Sequence, residues 1–491
     1  MINSSKIKEK QLHNIWIKQD FIKELNSSSG DQIIVLNGGD YNEDTSGPDF
    51  KHARLRIGNI TFVGDVEIDR DYSDWKNHGH NINKHYNKVI LHVCYTNRQN
   101  QKYVYTSEGR KVPSITIKEN IAMDNLVPEI ILGGKKNKHQ SFSLKCSDEI
   151  NLIDVDDRQN YILQYGINRF ENKCQRIYNR LKELKFINEL KLNEPVIRYE
   201  LSKEFRERKF LNDDFGDRKI WNQLLYELIF EALGYSKNKN IMMRLAQNVN
   251  LEFLKSIGNN NDSIKLETIY FHVSGLMPEK IENKKLENNY LQNLSMEWEN
   301  ISPKYDGKVF DETQWHFLGQ RPQNFPTIRI SGGAKIVDAI LNRNLTAVII
   351  KKFSEIHSIK VLINSIRSLI IVKANGYWRD HYVFEKKSNV KLNYIIGLSR
   401  ADEIFINVLL PYLSVYFDIF GNEEMSKKVI RVYNEYEQKS DNKIVKDVAS
   451  GLKLEGYNKR TIYSQGMIEV YRNYCSKNRC LECHIGKKVF N

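Results

Sequence analysis

The chain has 491 residues, 41% hydrophobic and 11% aromatic, with 27% charged and only 9 Pro. It is too long for one ordinary domain, and this composition excludes a disordered or proline-rich chain. Lys and Arg total 74 against 61 Asp and Glu, a net charge of +13; such a surplus favours a polyanionic partner, nucleic acid first, although lysine-loaded surfaces alone give the same number.

The first residues, MINSSKIKEKQLHNIW, carry no apolar run behind their charges and do not read as an export signal. From residue 31 to about 118 short β-branched or aromatic runs alternate with turns. Runs at 33–36, 53–57, 60–69, 88–95, 102–106 and 114–117 each predict a strand, separated by turn residues such as Gly38-Gly39, Gly58-Asn59 and Asn97. Alternation in 53–57 and in the second half of 60–69 predicts half-buried strands, whereas the run around His92 reads as buried on both faces. The segment 119–150, with Gly133-Gly134 and the basic run after it, predicts a surface loop.

From Asp156 to about Ile257 the apolar period becomes 3.6, as in Trp221, Leu224, Leu225, Leu228 and Ile229, which predicts helices. Helical patterns continue at 266–276 and 288–298, and a linker with Pro303, Gly307 and Gly319 follows. The rest is mainly helical, and its most apolar stretch, 405–420, is broken by Asn407, Pro411 and Asp418, so no transmembrane span is expected. The predicted fold class is α+β: a β-rich domain over 1–150, a helical middle domain over 151–312, and a mainly helical C-terminal domain over 313–491. A cytoplasmic protein with reduced thiols is expected, because 6 Cys are too few for a disulfide scaffold.

Three constellations carry chemistry. Gly47-Pro48-Asp49-Phe50 precedes one predicted strand, and the next carries Gly64-Asp65-Val66-Glu67-Ile68-Asp69. A hairpin brings Asp49 and Glu67 to neighbouring ends, and Glu67 and Asp69 share a face by the two-residue period. Carboxylates converging there form a hard-oxygen site for Mg²⁺ or Mn²⁺ that can activate water against a phosphodiester. An exposed strand residue and a turn cap are the simpler account of the same pattern. Next come Asp74, Trp75, His78, His80, His85 and His92, four imidazoles in fifteen residues of a chain with 12 His. They suit Zn or Mn binding or acid–base work. Last, Cys475, Cys480 and Cys483 give C-x4-C-x2-C. That spacing suits an iron–sulfur cluster or Zn, with Cys146, Cys174, Cys94 or His484 as the fourth ligand and Cys146 preferred, stapling the C-terminus to the N-terminal domain.

Arg321, Asn324 and Arg329 in RPQNFPTIRI are candidate phosphate contacts, against a structural turn between domains. Tyr377, Trp378, His381 and Tyr382 are candidates for base stacking, although aromatic core packing explains them more simply.

The hairpin resembles the PD-(D/E)xK nuclease superfamily, with Asp69 standing where that pattern places Lys and Arg70 beside it. The ordered set GPDF, GDVEI, SDW-x2-HGH, VILHV, RPQNFPTIRI and the C-terminal cysteine triplet resembles a large uncharacterised bacterial family, a domain of unknown function, over roughly residues 10 to 488. That resemblance implies His at position 69, where this chain has Asp. The functional expectation is a metal-dependent nucleic-acid-processing protein, a nuclease or nuclease-derived binder. Its catalytic residues would be Asp49, Glu67, Asp69, His78 and His80, and its cleavage weak unless a histidine or a distant lysine replaces the missing Lys. The alternatives are a non-catalytic nucleic-acid or ribonucleoprotein scaffold with a structural metal, and a His-rich hydrolase of a small substrate.

Overall fold

The computed structural model describes residues 9–19, 21–42, 47–121, 144–190, 204–258, 263–278, 289–317, 320–438, 442–477 and 479–490. Gly133-Gly134, the basic run at 135–138 and Lys203 lie outside the described residues. The chain divides into two compact units, Met1–His139 and Gln140–Asn491, giving a mixed α+β protein with a sheet first and helices after it.

Every strand expected between 33 and 117 forms. Helix α1 (Glu9–Lys18) precedes β1 (Leu25–Asn26), β2 (Gln32–Asn37), β3 (Asp40–Tyr41), β4 (Phe50–Ile57) and β5 (Ile60–Asp71). After β5 come α2 (Asp74–Asn77), a 3-10 turn over Lys84–Lys88, β6 (Val89–Thr96), β7 (Tyr103–Tyr105) and β8 (Lys111–Thr116). They form one sheet in the order β1-β2-β4-β5-β6-β8-β7, with β3 paired to β4. Strands β4 and β5 pair antiparallel with Ile57 opposite Ile60. Gly58 between them has φ +58, the left-handed backbone that tight hairpins require.

Strands β5, β6 and β8 run parallel, so the chain must cross the sheet between Asp71 and Val89. One sheet face buries Val66 and Ile68 with Leu12, Ile15 and Trp16 of α1 and with Leu55, Leu91 and Val93. The crossover covers the other face, where Trp75 and Tyr86 join Val89, Val104 and Val112 in a small second core. Residues 65–69 are therefore buried throughout, not half-buried as their alternation predicts; a sequence period cannot register a cover supplied by a later segment.

In the Gln140–Asn491 unit, residues from both helical stretches share one core that runs from Phe170 to Ile462. Helix α3 (Val155–Leu190) packs along the helix Thr461–Asn473. Two glycines set that approach. A Cβ on Gly166 would lie 2.2 Å from the Ile462 carbonyl oxygen, and one on Gly466 would lie 2.0 Å from that of Ile162. Among the described residues, no helix is long and apolar enough to cross a membrane.

Candidate metal centre

A bulge aims the first carboxylate. Phe50 pairs with Val66 and Ala53 with Gly64, three steps on β4 against two on β5. His52 takes up the extra residue at φ +59, and its N–H donates to Asp65 Oδ1 at 3.3 Å. Such a kink re-aims the strand end. Asp49 lands beside β5, where its Oδ2 accepts the Ile68 N–H at 2.9 Å and its own N–H donates to Glu67 Oε2 at 3.0 Å.

The SDW-x2-HGH segment supplies the imidazoles. Asp71 Oδ1 accepts from the Ser73 amide at 3.0 Å and hydroxyl at 2.7 Å, which starts the short helix α2. Trp75 is buried, its indole N–H donating to the Tyr105 carbonyl at 3.0 Å. Gly79, at φ +76, then turns the chain so that the His80 amide returns to the Trp75 carbonyl at 3.0 Å. The His80 ring packs against Tyr86 at 4.0 Å and Trp75 at 5.4 Å between centroids.

These groups converge on Asp69, which is fully buried. His92 Nε2 lies 3.2 Å from Asp69 Oδ2, and His92 Nδ1 lies 3.0 Å from Ser114 Oγ. On the other oxygen, His78 Nδ1 stands 3.2 Å from Asp69 Oδ1, and His80 Nε2 stands 3.9 Å from it. His80 Nε2 is also 3.1 Å from Glu67 Oε1. Despite these distances, Asp69 Oδ1 and His80 Nε2 are buried and have no hydrogen-bond partner. Asp69, His78 and His80 place one donor atom each within 4.8 Å of the others, and Glu9, His13 and Asp49 form a second such group. In that second group His13 Nε2 is 3.2 Å from Asp49 Oδ2 and 3.9 Å from Glu9 Oε1.

Burial dominates the electrostatics. It pushes the Asp69 carboxyl up to about 7, with His78 opposing the rise. Burial, then Asp49 and Asp69, drive the Glu67 carboxyl well above the usual carboxylate range. Burial, then His78, pulls His80 down to about 4, and burial alone pulls His92 to about 3. Both rings are therefore neutral near pH 7. A neutral His92 carries one N–H; with it on Nε2 the ring donates to Asp69 Oδ2 and accepts from Ser114, leaving Oδ1 on the side of His78 and His80. Burial opposes the charging of His13, but the Asp49 carboxylate outweighs it and the imidazole is raised.

An imidazole that orients a metal-binding carboxylate through its second oxygen tunes the centre from behind. His92→Phe keeps the ring but strands Asp69 Oδ2 without a partner. Affinity for Mn²⁺, read by calorimetric titration, is expected to fall about 10–100-fold. An unchanged affinity would remove His92 from the centre.

The five residues expected to be catalytic, Asp49, Glu67, Asp69, His78 and His80, thus lie together around the β4–β5 hairpin and the crossover. His85 is exposed on the turn Lys84–Lys88. Glu9 and His13 are unforeseen members, and Ser114 is an unforeseen support. Their signal was an i, i+4 pair of potential ligands on an N-terminal helix whose Leu12, Ile15 and Trp16 face the core.

Elsewhere the phosphate-contact expectation needs correction. Arg329 is buried and spends its guanidinium inside the protein, on the Ile395 carbonyl at 2.6 Å, the Tyr235 hydroxyl at 2.9 Å and Asn324 Oδ1 at 2.6 Å. Arg329 therefore cannot grip a phosphate, Asn324 is engaged with it, and Arg321 alone of the three is exposed. The aromatic set is core packing. Tyr377 stacks on His381 at 3.9 Å and on Tyr290 at 4.5 Å, the buried Trp378 donates to the Tyr290 hydroxyl at 2.9 Å, and the Tyr382 carbonyl accepts from Thr327.

The cysteines separate into two kinds. Cys94 lies in β6 and donates to the Ile115 carbonyl at 3.3 Å, and Cys174 points to that of Pro411 at 3.8 Å. Cys146, Cys475 and Cys483 share one apolar cluster in the helical unit. Burial, then Cys483, pushes the Cys146 thiol up to about 11; burial, then Cys483, Cys146 and Cys480, pushes Cys475 up to about 12. Cys146 belongs to the same compact unit as the triplet, so a metal there would not staple the C-terminus to the sheet domain.

Fold and site together define an α+β protein whose N-terminal sheet carries a buried carboxylate–imidazole cluster, a candidate cation centre. The chain matches the family described as Protein of unknown function (DUF2851) over residues 9–195 and 207–442, and it belongs to that family. The first matched stretch contains every residue of the cluster. No curated protein and no solved structure matches the chain.

Proposed function

We propose that the N-terminal unit is a divalent-cation-dependent phosphodiester hydrolase acting on nucleic acid. One observation carries this reading: Asp69 Oδ1 and His80 Nε2 are buried, face each other across 3.9 Å with His78 Nδ1 beside them, and make no hydrogen bond. Leaving such atoms unpaired costs about 1–3 kcal/mol each unless a cation engages them. Two imidazoles and one carboxylate suit Mn²⁺ or Zn²⁺ better than Mg²⁺, whose ligands are oxygens.

A cation held by Asp69, His78 and His80 would acidify water and neutralise phosphate charge. Glu67 holds the Asp49 amide with one oxygen and presents the other 3.1 Å from His80 Nε2. It is the carboxyl placed to take or return a proton beside the cation. In this reading Asp69, standing where the nuclease pattern has Lys, is a ligand, and the +13 charge supplies the attraction for the polyanion.

The test is an assay of the full chain with Mn²⁺ on labelled single- and double-stranded DNA and RNA. Cleavage should require Mn²⁺, vanish with chelator, and fall at least about 100-fold in Glu67→Gln while Mn²⁺ binding persists. Tight Mn²⁺ binding with no cleavage of any of these polymers would overturn the hydrolase reading and favour a binding scaffold or a small-substrate enzyme.

A further inference from the structure

We infer that Cys146, Cys475, Cys480 and Cys483 hold an iron–sulfur cluster within the helical unit. This goes beyond the hydrolase reading and does not depend on it. The triplet spacing alone is compatible with any thiophilic metal. The fold adds the fourth thiol: Cys146, more than three hundred residues earlier in the chain, lies in the same apolar cluster as Cys475 and Cys483, beside Leu144, Ile150 and Ile485. All four are free thiols; Cys475 lies within the electrostatic influence of the other three, and Cys146 within that of Cys483 and Cys480.

Ligand order separates the metals. With the fourth thiol remote from the triplet, the arrangement is C-x4-C-x2-C plus one distant Cys, the order of ferredoxin-type iron–sulfur sites, whereas structural zinc sites typically bring their cysteines as two close pairs.

The surroundings suit a cluster kept from water. Cys483 is 5% exposed, and the Tyr165 hydroxyl reaches its sulfur at 4.0 Å, a contact of the kind that tunes cluster sulfurs. The His484 ring stacks on Tyr161 at 5.5 Å, and its amide donates to the Tyr165 hydroxyl at 3.1 Å. Cys475 and Cys480 each open a 3-10 turn, Cys475–Lys477 and Cys480–Glu482. A Cβ on Gly486 would lie 2.1 Å from the Cys480 carbonyl oxygen, so the last helix, His484–Phe490, rests directly on that turn. Bound to all four, the cluster would tie residue 146 to the C-terminal turns.

The full chain, purified without oxygen, is analysed for iron, acid-labile sulfide and zinc. Iron and acid-labile sulfide in equal amounts, about two to four of each per chain, are expected, with the brown colour of such clusters. Cys146→Ser and Cys480→Ser should each lose most of the iron, and Cys174→Ser should keep it. One zinc per chain without sulfide, or a wild-type chain with neither metal, would overturn the inference. So would a Cys146→Ser protein that retains its full iron and sulfide. Because the wild-type analysis is decisive by itself, a variant that fails to fold does not blunt the test, and the outcome is independent of Mn²⁺ at Asp69.

Discussion

The Asp69→Asn protein is expected to lose at least about 100-fold in Mn²⁺ affinity, more than the loss typical of supporting residues. Asn keeps the shape of the side chain and can still accept from His92 Nε2, which lies 3.2 Å from Oδ2 in the wild type. It removes only the charge, and with it the anionic oxygen that faces His78 and His80. Asp65→Asn is the control: on the same strand face, it meets the His52 amide at 3.3 Å and belongs to neither candidate ligand group. Calorimetric titration of both proteins separates a ligand from a general loss of negative charge. Equal affinities would show that Asp69 is no ligand.

The same substitution should stabilise the protein when the cation is withheld at alkaline pH. Burial raises the Asp69 carboxyl from 3.8 to about 7, so the folded chain holds a proton that the unfolded chain has already released. Stability contributed by this group is present at low pH and is lost as pH rises from about 4 through about 7. At about 1.4 kcal/mol per pH unit the loss is on the order of 4 kcal/mol. Glu67, also raised, acts in the same direction. In chelator at pH 8, Asp69→Asn should therefore melt above the wild type, and the gap should close by about pH 4. Mn²⁺ should reverse the order at pH 8 by stabilising only the wild type, and its apparent affinity should strengthen up to about pH 7, since it displaces a proton. A wild type that melts above Asp69→Asn in chelator at pH 8 would show that Asp69 is not held protonated by its surroundings.

The strands were legible because the local signals agree. The Gly58-Asn59 turn and the alternation of Ala53, Leu55 and Ile57 each specify the same hairpin, while the bulge at His52 that brings Asp49 beside Glu67 has no such local signal. His78 and His80 were legible as metal-binding types, but their convergence on Asp69 depends on a parallel crossover that no local pattern encodes. Glu9 and His13 were hidden for a related reason: a helix shows its own periodicity, not the strand end it will meet. Arg329 misled because a guanidinium suited to phosphate is equally suited to carbonyl and hydroxyl oxygens, and only burial distinguishes the two uses. The sequence assigns Cys146 to the sheet domain, but its segment packs on the core around Ile150 and Ile485 in the helical unit.

The proposed chemistry depends on a divalent cation among Asp69, His78 and His80. Crystals of the full chain grown with Mn²⁺ test it through anomalous scattering at the manganese edge. A peak is expected within bonding distance of Asp69 Oδ1, His78 Nδ1 and His80 Nε2, and it should disappear in Asp69→Asn crystals. Well-ordered crystals in which those three atoms instead bond to one another or to water, with manganese absent or bound only elsewhere, would contradict it.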